Sequence, residues 1–504
     1  MFDLLKRALD ARVADVLPES TPLDRAANLS DRLGHPVLLK REDLTPVFSF
    51  KLRGAYNRIA ALSAGEMARG VIAASAGNHA QGVAFAARRL GIPCRIVMPR
   101  TTPSIKVTAV RRLGAEIALV GDSYSDAAEH AAEVARSTGA VPIPPFDDPD
   151  VIAGQATIGL EILRQSPRDL GSVFVPIGGG GLISGIAAVV KEIRPAVRVI
   201  GVQSAGSEAM KRSLAEGRRV RLDRVGIFAD GVAVKQVGEL TFELCRRYVD
   251  DVVTVTTDEI CAAIQDGFED TRTVLEPAGA LGIAGVKRLQ AESALPPGPA
   301  VAIASGANIS FTKLGYVAER AEVGQLREAI LVVTIPERPG AFHDFCRVVG
   351  DRSVTEFNYR LGSREAADVF VGVEVSGAEE LAGLVRSLRA AGYRCDDVSH
   401  DDFAKTHVRH MVGGRSATAR DEVLYSFEFP ERPGALLEFL GSLGARWNIS
   451  LFHYRNHGSA FGRVLCGLEV PTGERDELAR ALQALGFAYE DESSSPAARL
   501  LLEA

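Results

Sequence analysis

The sequence predicts an α/β domain built on a mostly parallel sheet, followed by a duplicated α+β module. Up to about Ala321, short apolar runs alternate with segments of helical periodicity. Beyond that point the alternation ends, and a different pattern occurs twice in succession. A chain of 504 residues has room for two to four domains of ordinary size, so each pattern is assigned to its own domain or domains.

The apolar runs of the first part are predicted to be buried strands. They are nearly continuous in Val, Ile, Leu and Ala, which is typical of parallel strands covered by helices on both faces. The runs are 37–39, 70–74, 94–98, 115–120, 173–177, 197–202, 251–255 and 300–304. Ligands of such sheets bind at the carboxyl ends of the strands. Polar or glycine-rich segments that follow these runs are therefore the candidates for a functional site.

The second part contains an internal repeat. The segment Pro-Glu-Arg-Pro-Gly-Ala occurs at 336–341 and again at 430–435. Asn358-Tyr359-Arg360 is matched by His453-Tyr454-Arg455 at the same place in the second copy. Each copy has the order strand, turn, helix, strand, strand, helix, with room for a final strand, and this order indicates a ferredoxin-like fold. The repeat indicates a duplication.

Composition and charge exclude several classes of protein. A net charge of −6, without a long Lys/Arg run, gives no reason to expect nucleic acid as a partner. The six cysteines are far apart and form no Cys-x-x-Cys pair, which argues against a disulfide framework or a zinc site and fits a reducing cytosol. No stretch approaches the roughly 20 apolar residues of a membrane span, and residues 1–10 lack the apolar core of a signal peptide. We expect a cytoplasmic protein without a metal or a membrane partner.

Lys51 is the candidate catalytic residue. It lies in the segment Ser49-Phe50-Lys51-Leu52-Arg53-Gly54-Ala55, where a helical run begins. A single lysine in such a place is usually a surface cation, but burial would lower the pKa of its amine enough to make it a nucleophile or a base. Three further segments follow predicted strand ends, and they are Ser75–Gly82, Gly178–Leu182 and Ser305–Asn308. This shared location favours a common site over a surface lysine.

The segment Gly178-Gly179-Gly180-Gly181-Leu182 predicts an anion site. It lies between a predicted strand and a helix over 183–193, and unobstructed backbone N–H groups at a helix N-terminus bind phosphate well. A dinucleotide site is a poorer interpretation. The Gly-x-Gly-x-x-Gly spacing is not met, and the next strand ends at Gln203 where an acidic residue would bind ribose.

Taken together, these four segments resemble the threonine dehydratases that depend on pyridoxal 5'-phosphate (PLP). The resemblance extends from about Ser20 to about Asp491 and includes the repeat, which is similar to the tandem ACT-like regulatory modules of the biosynthetic members. It implies a fold-type II catalytic domain, similar to the tryptophan synthase β subunit, over residues 1–322. ACT-like domains are then expected over 329–400 and 422–493. The polar segment 401–421, which contains Gly413-Gly414, is expected to be a linker.

The resemblance also implies the roles of the site residues. Lys51 holds PLP as a Schiff base and serves as the general base, with Phe50 packed against the ring. The backbone of residues 178–182 binds the cofactor phosphate, and the Asn78 amide binds the phenolic oxygen. The alternative for Asn78, and for Ser75, is a helix N-cap. His79 is given no role.

Ser305 is implied to be the partner of the pyridine nitrogen. A neutral hydroxyl does not protonate that nitrogen as an aspartate would, and this favours β-elimination over transamination. A Ser-Gly turn at a strand end is the alternative. The implied reaction converts L-threonine to 2-oxobutanoate and ammonia, the first step of isoleucine synthesis, with L-serine giving pyruvate as a side activity.

The resemblance implies a homotetramer inhibited by L-isoleucine, with L-valine opposing the inhibition as an activator. Arg360 and Arg455, with their neighbours, are candidate contacts for an effector carboxylate, and ordinary sheet packing is the alternative. Catabolic serine/threonine dehydratases and serine racemases lack two C-terminal modules, and cysteine synthases carry a different asparagine loop. A PLP-binding amino-acid sensor without turnover remains an alternative from another class.

Overall fold

The computed structural model describes residues 3–325, 327–406, 408–411, 416–430, 435–443, 446–455, 461–485 and 488–493. The chain divides into two compact units, residues 1–321 and 322–504. Within the described residues, none of the helices is both long and apolar enough to cross a membrane.

The first unit alternates strands with helices, as the sequence predicts. Its strands are β1 (Leu23–Arg25), β2 (Val37–Arg41), β3 (Val71–Ala74), β4 (Cys94–Met98), β5 (Glu116–Leu119), β6 (Val141–Pro142), β7 (Ser172–Pro176), β8 (Arg198–Ser204), β9 (Asp251–Val255) and β10 (Ala300–Ala304). Its helices are α1 (Leu4–Leu9), α2 (Ala27–Leu33), α3 (Lys51–Ala60), α4 (Ala64–Arg69), α5 (Asn78–Leu90), α6 (Ser104–Arg112), α7 (Tyr124–Thr138), α8 (Pro149–Gln165), α9 (Gly181–Ile193), α10 (Ala209–Glu216), α11 (Glu239–Tyr248), α12 (Thr257–Thr271), α13 (Pro277–Ala291) and α14 (Leu314–Gly324).

These strands form two sheets, whereas the sequence pattern predicts a single sheet. A six-stranded sheet has the order β1-β2-β10-β7-β8-β9, and a four-stranded sheet has the order β5-β4-β3-β6. All neighbours are parallel except the edge strand β1, which is antiparallel to β2. Although β2 and β3 are consecutive, β2 pairs with the distant β10. Apolar periodicity marks a strand as buried but does not specify its partner, so the division into two sheets is absent from the pattern.

The second unit confirms the duplicated ferredoxin-like pattern. The first copy consists of β11 (Glu328–Pro336), α15 (Ala341–Val349), β12 (Val354–Arg360), β13 (Ala366–Glu374), α16 (Ala378–Ala390) and β14 (Arg394–Asp397). Between the copies lies α17 (Asp402–Thr406). The second copy consists of β15 (Glu422–Pro430), α18 (Ala435–Leu443), β16 (Asn448–Arg455), β17 (Phe461–Glu469), α19 (Arg475–Leu485) and β18 (Ala488–Asp491). The repeated turn at 431–434 lies outside the described residues.

The two copies share one antiparallel sheet. Its order is β14-β11-β13-β12-β16-β17-β15-β18, so the copies meet where β12 pairs with β16. Asn358 lies opposite His453 in this pairing, which places the two repeated segments side by side at the centre of the sheet. A duplicated unit whose edge strand pairs with its own copy leaves fewer unpaired edges.

The segment expected to be a linker is partly helical. It carries α17 and a 3₁₀ turn over Val408–His410. The Arg409 guanidinium is buried and pairs with Glu356 at 2.8 Å and with Glu328 at 3.5 Å. Gly413 and Gly414 lie outside the described residues. The segment is therefore bound to the first copy through at least one buried ion pair.

A buried ionic cluster holds the helix that begins with Lys51. Arg53 is wholly buried, and its guanidinium bonds Glu42 on one side at 2.8 Å and Glu161 on the other at 2.6 Å. Lys40 reaches Glu161 at 2.5 Å, and Thr21 donates to Glu42 at 2.6 Å. Arginine presents several N–H donors in a rigid plane, which suits it to bridge two carboxylates. The cluster thereby joins α3 to β2 and α8.

We expect Arg53→Met to destabilise the first unit by about 3–5 kcal/mol, because it leaves two buried carboxylates without their shared cation. The measurement is chemical denaturation followed by circular dichroism. Arg95→Gln is the matched control, since Arg95 and Glu116 form a surface pair whose side chains are 36% and 65% exposed, and such pairs contribute about 0–1 kcal/mol. Equal losses of stability in the two variants would contradict the anchoring role of Arg53.

Candidate active site

The loop before α3 is bound to the loop after β10. Ser49 and Gly306 form an isolated antiparallel bridge, and the Phe50 N–H donates to the Ser305 carbonyl at 3.2 Å. These backbone contacts bring Lys51 beside Ser305, although the two residues are far apart in sequence. The structure thus places two of the predicted site residues at one location, the carboxyl end of β10.

The Lys51 amine lies in an environment that favours its neutral form. Its Nζ donates to the Pro145 carbonyl at 2.8 Å and lies 5.2 Å from the centroid of the Phe50 ring. Burial lowers the pKa of Lys51 to about 8, and the negative charge of Glu276 opposes this shift. Near neutral pH, a fraction of this amine is therefore unprotonated and can act as a nucleophile or a base.

The glycine loop, residues 178–182, presents open backbone donors. It connects β7 to the N-terminus of α9, and Gly180 has a φ of 101°. Among the described residues, no protein oxygen accepts a hydrogen bond from the N–H groups of this loop. A side chain at Gly179 would overlap the ring of Phe146. Because Phe146 follows Pro145, the same segment contacts both the glycine loop and the Lys51 amine. Several free N–H groups at a helix N-terminus fit a phosphate.

Asn78 is held between two polar side chains. Its Nδ2 donates to Glu276 Oε1 at 2.5 Å, and its Oδ1 accepts from Asn308 Nδ2 at 2.8 Å. The N-cap of α5 is Gly77, without a side-chain capping bond, so the alternative N-cap interpretation of Asn78 is wrong. Ser75 Oγ instead accepts from the Gly77 N–H at 3.3 Å. The asparagine is therefore aligned by tertiary contacts.

Ser305 is buried at the end of β10. Its Oγ donates to the Ala278 carbonyl at 3.3 Å, which is long for a hydroxyl bond, since such bonds usually measure about 2.7–2.8 Å. A weakly held hydroxyl can turn to a better acceptor, and an unprotonated ring nitrogen would be one. The geometry is compatible with the role implied for Ser305.

His79 is buried beside the site, and the proton on its ring is bound to a backbone carbonyl. Its Nε2 lies 2.8 Å from the Ile143 carbonyl, which requires Nε2 to be the protonated ring nitrogen. Burial lowers the pKa of His79 to about 3, and the nearby Lys51 charge lowers it further in the same direction. The ring is therefore neutral at physiological pH.

Glu276 is a site residue that the sequence analysis missed. It occupies the N-cap position of α13, but its side chain makes no capping bond and contacts Asn78. Burial raises the pKa of Glu276 to about 7, with the Asn78 hydrogen bond opposing the shift and the charge of Asp230 adding to it. In the sequence, Glu276 is distinguished by its position before Pro277 at the start of a helix, where Ser, Thr, Asp or Asn is the usual N-cap residue.

These features define the class. A buried amine of lowered pKa, a glycine loop with open N–H groups and a buried serine lie at the carboxyl ends of parallel strands, an arrangement that fits a PLP-dependent enzyme. The profile of the family described as "Pyridoxal-phosphate dependent enzyme" matches residues 16–306. The profile described as "C-terminal regulatory domain of Threonine dehydratase" matches twice, at 319–408 and 413–502.

Similar proteins identify the family more closely. The biosynthetic L-threonine dehydratase of Burkholderia multivorans is 55% identical, covering 99% of both chains. That of Escherichia coli K12 is 50% identical, covering 99% of this chain and 97% of the other. The structure of a processed threonine deaminase isoform 2 from Solanum lycopersicum has a TM-score of 0.62 and 50% identity, covering 64% of this chain and 88% of the other. The chain belongs to the biosynthetic threonine dehydratase family, with a fold-type II PLP domain and two regulatory domains.

We expect Gly179→Ala to weaken PLP binding, because the added methyl group would push the glycine loop away from Phe146. Overpacking of this kind costs roughly 1–3 kcal/mol, or roughly 5- to 150-fold in affinity. The measurement is the cofactor absorbance that remains after exhaustive dialysis. Gly315→Ala is the control, since a methyl group there meets no described atom within 4 Å. Full retention of the cofactor by Gly179→Ala would contradict the phosphate-binding role.

Proposed function

We propose that this chain deaminates L-threonine to 2-oxobutanoate and ammonia, the first step of isoleucine synthesis, with L-serine giving pyruvate as a side activity. The observation that carries the proposal is the Lys51 amine, whose pKa burial lowers to about 8 beside a loop of free N–H groups. Two relatives that are 55% and 50% identical to this chain, each over 99% of its length, are named biosynthetic L-threonine dehydratase. Their names support threonine as the substrate.

Each residue of the site would bind a different part of PLP. Lys51 Nζ would hold the cofactor covalently, the N–H groups of residues 178–182 would bind its phosphate, and Phe50 would pack against its ring. Asn78 would donate to the phenolic oxygen, and Ser305 Oγ would donate to the ring nitrogen. Bound PLP supplies an electron-withdrawing group that acidifies the α-hydrogen of an amino acid.

The remaining chemistry belongs to the protein. The Lys51 amine would take the α-proton of the bound substrate, and its pKa of about 8 leaves a fraction of this base unprotonated near neutral pH. The loop over 75–78 would bind the substrate carboxylate. Among the described residues, no protein group accepts from the N–H groups of Ala76 and Asn78, so they are open to a ligand. The proton taken by Lys51 balances the loss of hydroxide, so the β-hydroxyl group would leave as water, and hydrolysis would then yield the 2-oxoacid and ammonia.

A neutral serine at position 305 favours elimination over transamination, since it donates a hydrogen bond without protonating the ring nitrogen. The two regulatory modules favour the biosynthetic enzyme over a catabolic dehydratase or a serine racemase. A sensor without turnover is disfavoured because Lys51 is present and its surroundings lower its pKa.

We expect Lys51→Ala to abolish 2-oxobutanoate formation, because it removes both the covalent attachment and the base. Proton transfer alone usually contributes about 10²–10⁴-fold, so the loss should be at least of that order. Formation of 2-oxoacid from L-threonine is measured, and circular dichroism checks the fold. Lys211→Ala, on the exposed face of α10, is the matched control. Normal turnover by Lys51→Ala would refute the assignment.

The regulatory ligands are proposed to be L-isoleucine, as inhibitor, and L-valine, as activator. A cavity in the second unit is lined by both copies, with Arg338, Gly340 and Phe342 from the first and Trp447 and Asn448 from the second among its residues. Arg338 pairs with Asp344 at 2.6 Å, but this pair is exposed, so a ligand carboxylate would replace Asp344 at little cost. An arginine beside apolar side chains suits a small amino acid with an apolar side chain.

The repeated segments are a poorer candidate for the effector contact. The Arg360 guanidinium is paired with Glu422 of the second copy, with a second contact of 3.1 Å. The Tyr359 hydroxyl donates to Glu337 at 2.7 Å. A carboxylate ligand at Arg360 would have to displace Glu422 and leave it buried without a cation, which is unfavourable. Sheet packing, the alternative interpretation, accounts for Arg360. The side chain of Arg455 lies outside the described residues.

We expect L-isoleucine to shift threonine saturation of the full-length protein to higher concentration and to make it sigmoidal. The coupling should be about 1–3 kcal/mol, or roughly 5- to 150-fold in threonine affinity. L-valine should reverse the shift, and L-aspartate serves as the control because its charged side chain does not suit an apolar cavity. A protein indifferent to both isoleucine and valine would leave the second unit without the proposed role.

The assembly and the cellular location follow the family resemblance. We assign a homotetramer in the cytoplasm. Neither depends on the proposed chemistry, and sedimentation equilibrium of the purified protein measures the first directly.

A further inference from the structure

Glu276 is a buried carboxyl group that no step of the proposed chemistry uses. It is 5% exposed, and its backbone N–H donates to the Gly306 carbonyl at 3.1 Å. Its side chain reaches Asn78 Nδ2 at 2.5 Å. Among the described residues, Asn78 is the one side chain that donates to it. A structural cap would have served α13 itself, but this carboxyl group points to the residue beside the cofactor position.

The orientation of the Asn78 amide follows from a chain of three side chains. Asn308 Nδ2 donates both to the Val47 carbonyl and to Asn78 Oδ1, each at 2.8 Å. A backbone carbonyl only accepts, so Asn308 must present its nitrogen, and Asn78 must present its oxygen to Asn308. Asn78 Nδ2 therefore faces Glu276. One N–H of this nitrogen is bound by the carboxyl group, and the other remains for a ligand.

The backbone leaves space for this carboxyl group. A Cβ atom at Gly306 would lie 2.7 Å from Glu276 Oε1, so a larger residue at this position would displace the carboxyl group. A Cβ atom at Gly231 would lie 3.5 Å from the same oxygen and 3.9 Å from Asn78 Nδ2. Two loops and the start of α13 thus converge on a single hydrogen bond, and this convergence indicates a specific geometry.

The charges around Glu276 are mixed. Asp230 faces it from the 3₁₀ turn over Asp230–Val232 and is itself paired with Lys106 of α6 at 2.6 Å and Lys313 at 3.4 Å. Lys51 interacts with Glu276 from α3, and His79, neutral at physiological pH, lies next to Lys51. Burial raises the pKa of Glu276 to about 7, and the charge of Asp230 acts in the same direction. The charges of Lys106 and Lys313 oppose this shift. The group therefore changes charge within the working range of an enzyme.

We propose that Glu276 is a positioning residue for the deamination: its carboxylate holds the Asn78 amide so that the second N–H points to the cofactor oxygen. The inference rests on the proposed function and adds a pH dependence to it. A hydrogen bond to an ionised acceptor is about twice as strong as one between neutral groups, so the alignment strengthens as the carboxyl group ionises with rising pH through about 7. As the pH falls through 7, the carboxylate is protonated and the alignment weakens.

The first experiment compares the full-length holoenzyme with Glu276→Gln, which keeps the shape and an acceptor but does not titrate. The parent should show an inflection near pH 7 in the visible absorbance of bound PLP without substrate, and in kcat. In the variant both inflections should be absent, with kcat roughly ten- to hundredfold lower above pH 7 and KM little changed. Identical inflections in the two proteins would overturn the proposal.

Asp230→Asn is the second variant. Removing this negative charge and releasing Lys106 and Lys313 should lower the pKa of Glu276, so the absorbance inflection should move to lower pH and persist. This measurement tests the proposed role of Glu276 even if the Glu276→Gln variant does not fold. An inflection that stays in place would overturn the proposal.

The third experiment is a double-mutant cycle with Asn78→Ala and Glu276→Gln. If Glu276 acts through Asn78, the second substitution should add little to the loss in kcat caused by the first. Full additivity would overturn the proposal. A parent protein that forms no 2-oxobutanoate would refute the proposed function instead, whereas the substrate-free absorbance titration would still report on Glu276.

Discussion

The position of Lys51 depends on the backbone bridge between the loop before α3 and the loop after β10. Ser49 pairs with Gly306, and this contact fixes the start of the helix that carries the amine. On the other side, Arg53 is bound to Glu42 and Glu161 inside the protein. Lys51 and Arg53 lie two residues apart on one helix. The backbone bridge therefore holds the chain just before Lys51, and the ionic cluster holds it just after. Because a small displacement of a catalytic group strongly lowers the reaction rate, this double anchoring supports the catalytic role proposed for Lys51.

The electrostatics of the site follow from burial acting on groups of opposite charge. Burial disfavours the charged form of any group, which lowers the pKa of Lys51 to about 8 and raises that of Glu276 to about 7. The Glu276 charge opposes the lowering of the Lys51 pKa, and the charges of Lys106 and Lys313 oppose the raising of the Glu276 pKa. Such convergence of pKa values toward neutrality is common where protons are transferred. The glycine loop adds only partial charges, which complement a phosphate without disturbing this balance.

In the second unit, buried ion pairs bind the first copy both to the second copy and to the connecting segment. Arg360 of the first copy pairs with Glu422 of the second, and Arg409 of the connecting segment pairs with Glu356 of the first. Both pairs are largely buried, and breaking either would leave a charge without its partner. The continuous pairing of β12 with β16 adds main-chain hydrogen bonds between the first copy and the second. The two copies therefore form one structural body, which is a suitable basis for a shared ligand cavity.

The sequence by itself determined the local elements: the buried strands, the helix that starts at Lys51, the duplicated modules and the glycine loop at 178–182. Each rests on residue type and short-range periodicity, which are properties of neighbouring residues. Only the tertiary structure decided the division of the strands into two sheets, the alignment of Asn78 by Glu276 and Asn308, and the pairing of Arg360 with Glu422. These depend on contacts between residues far apart in the chain. Residue type does not specify such contacts, because the same carboxylate suits a helix cap, a surface or a buried site until packing places its partner.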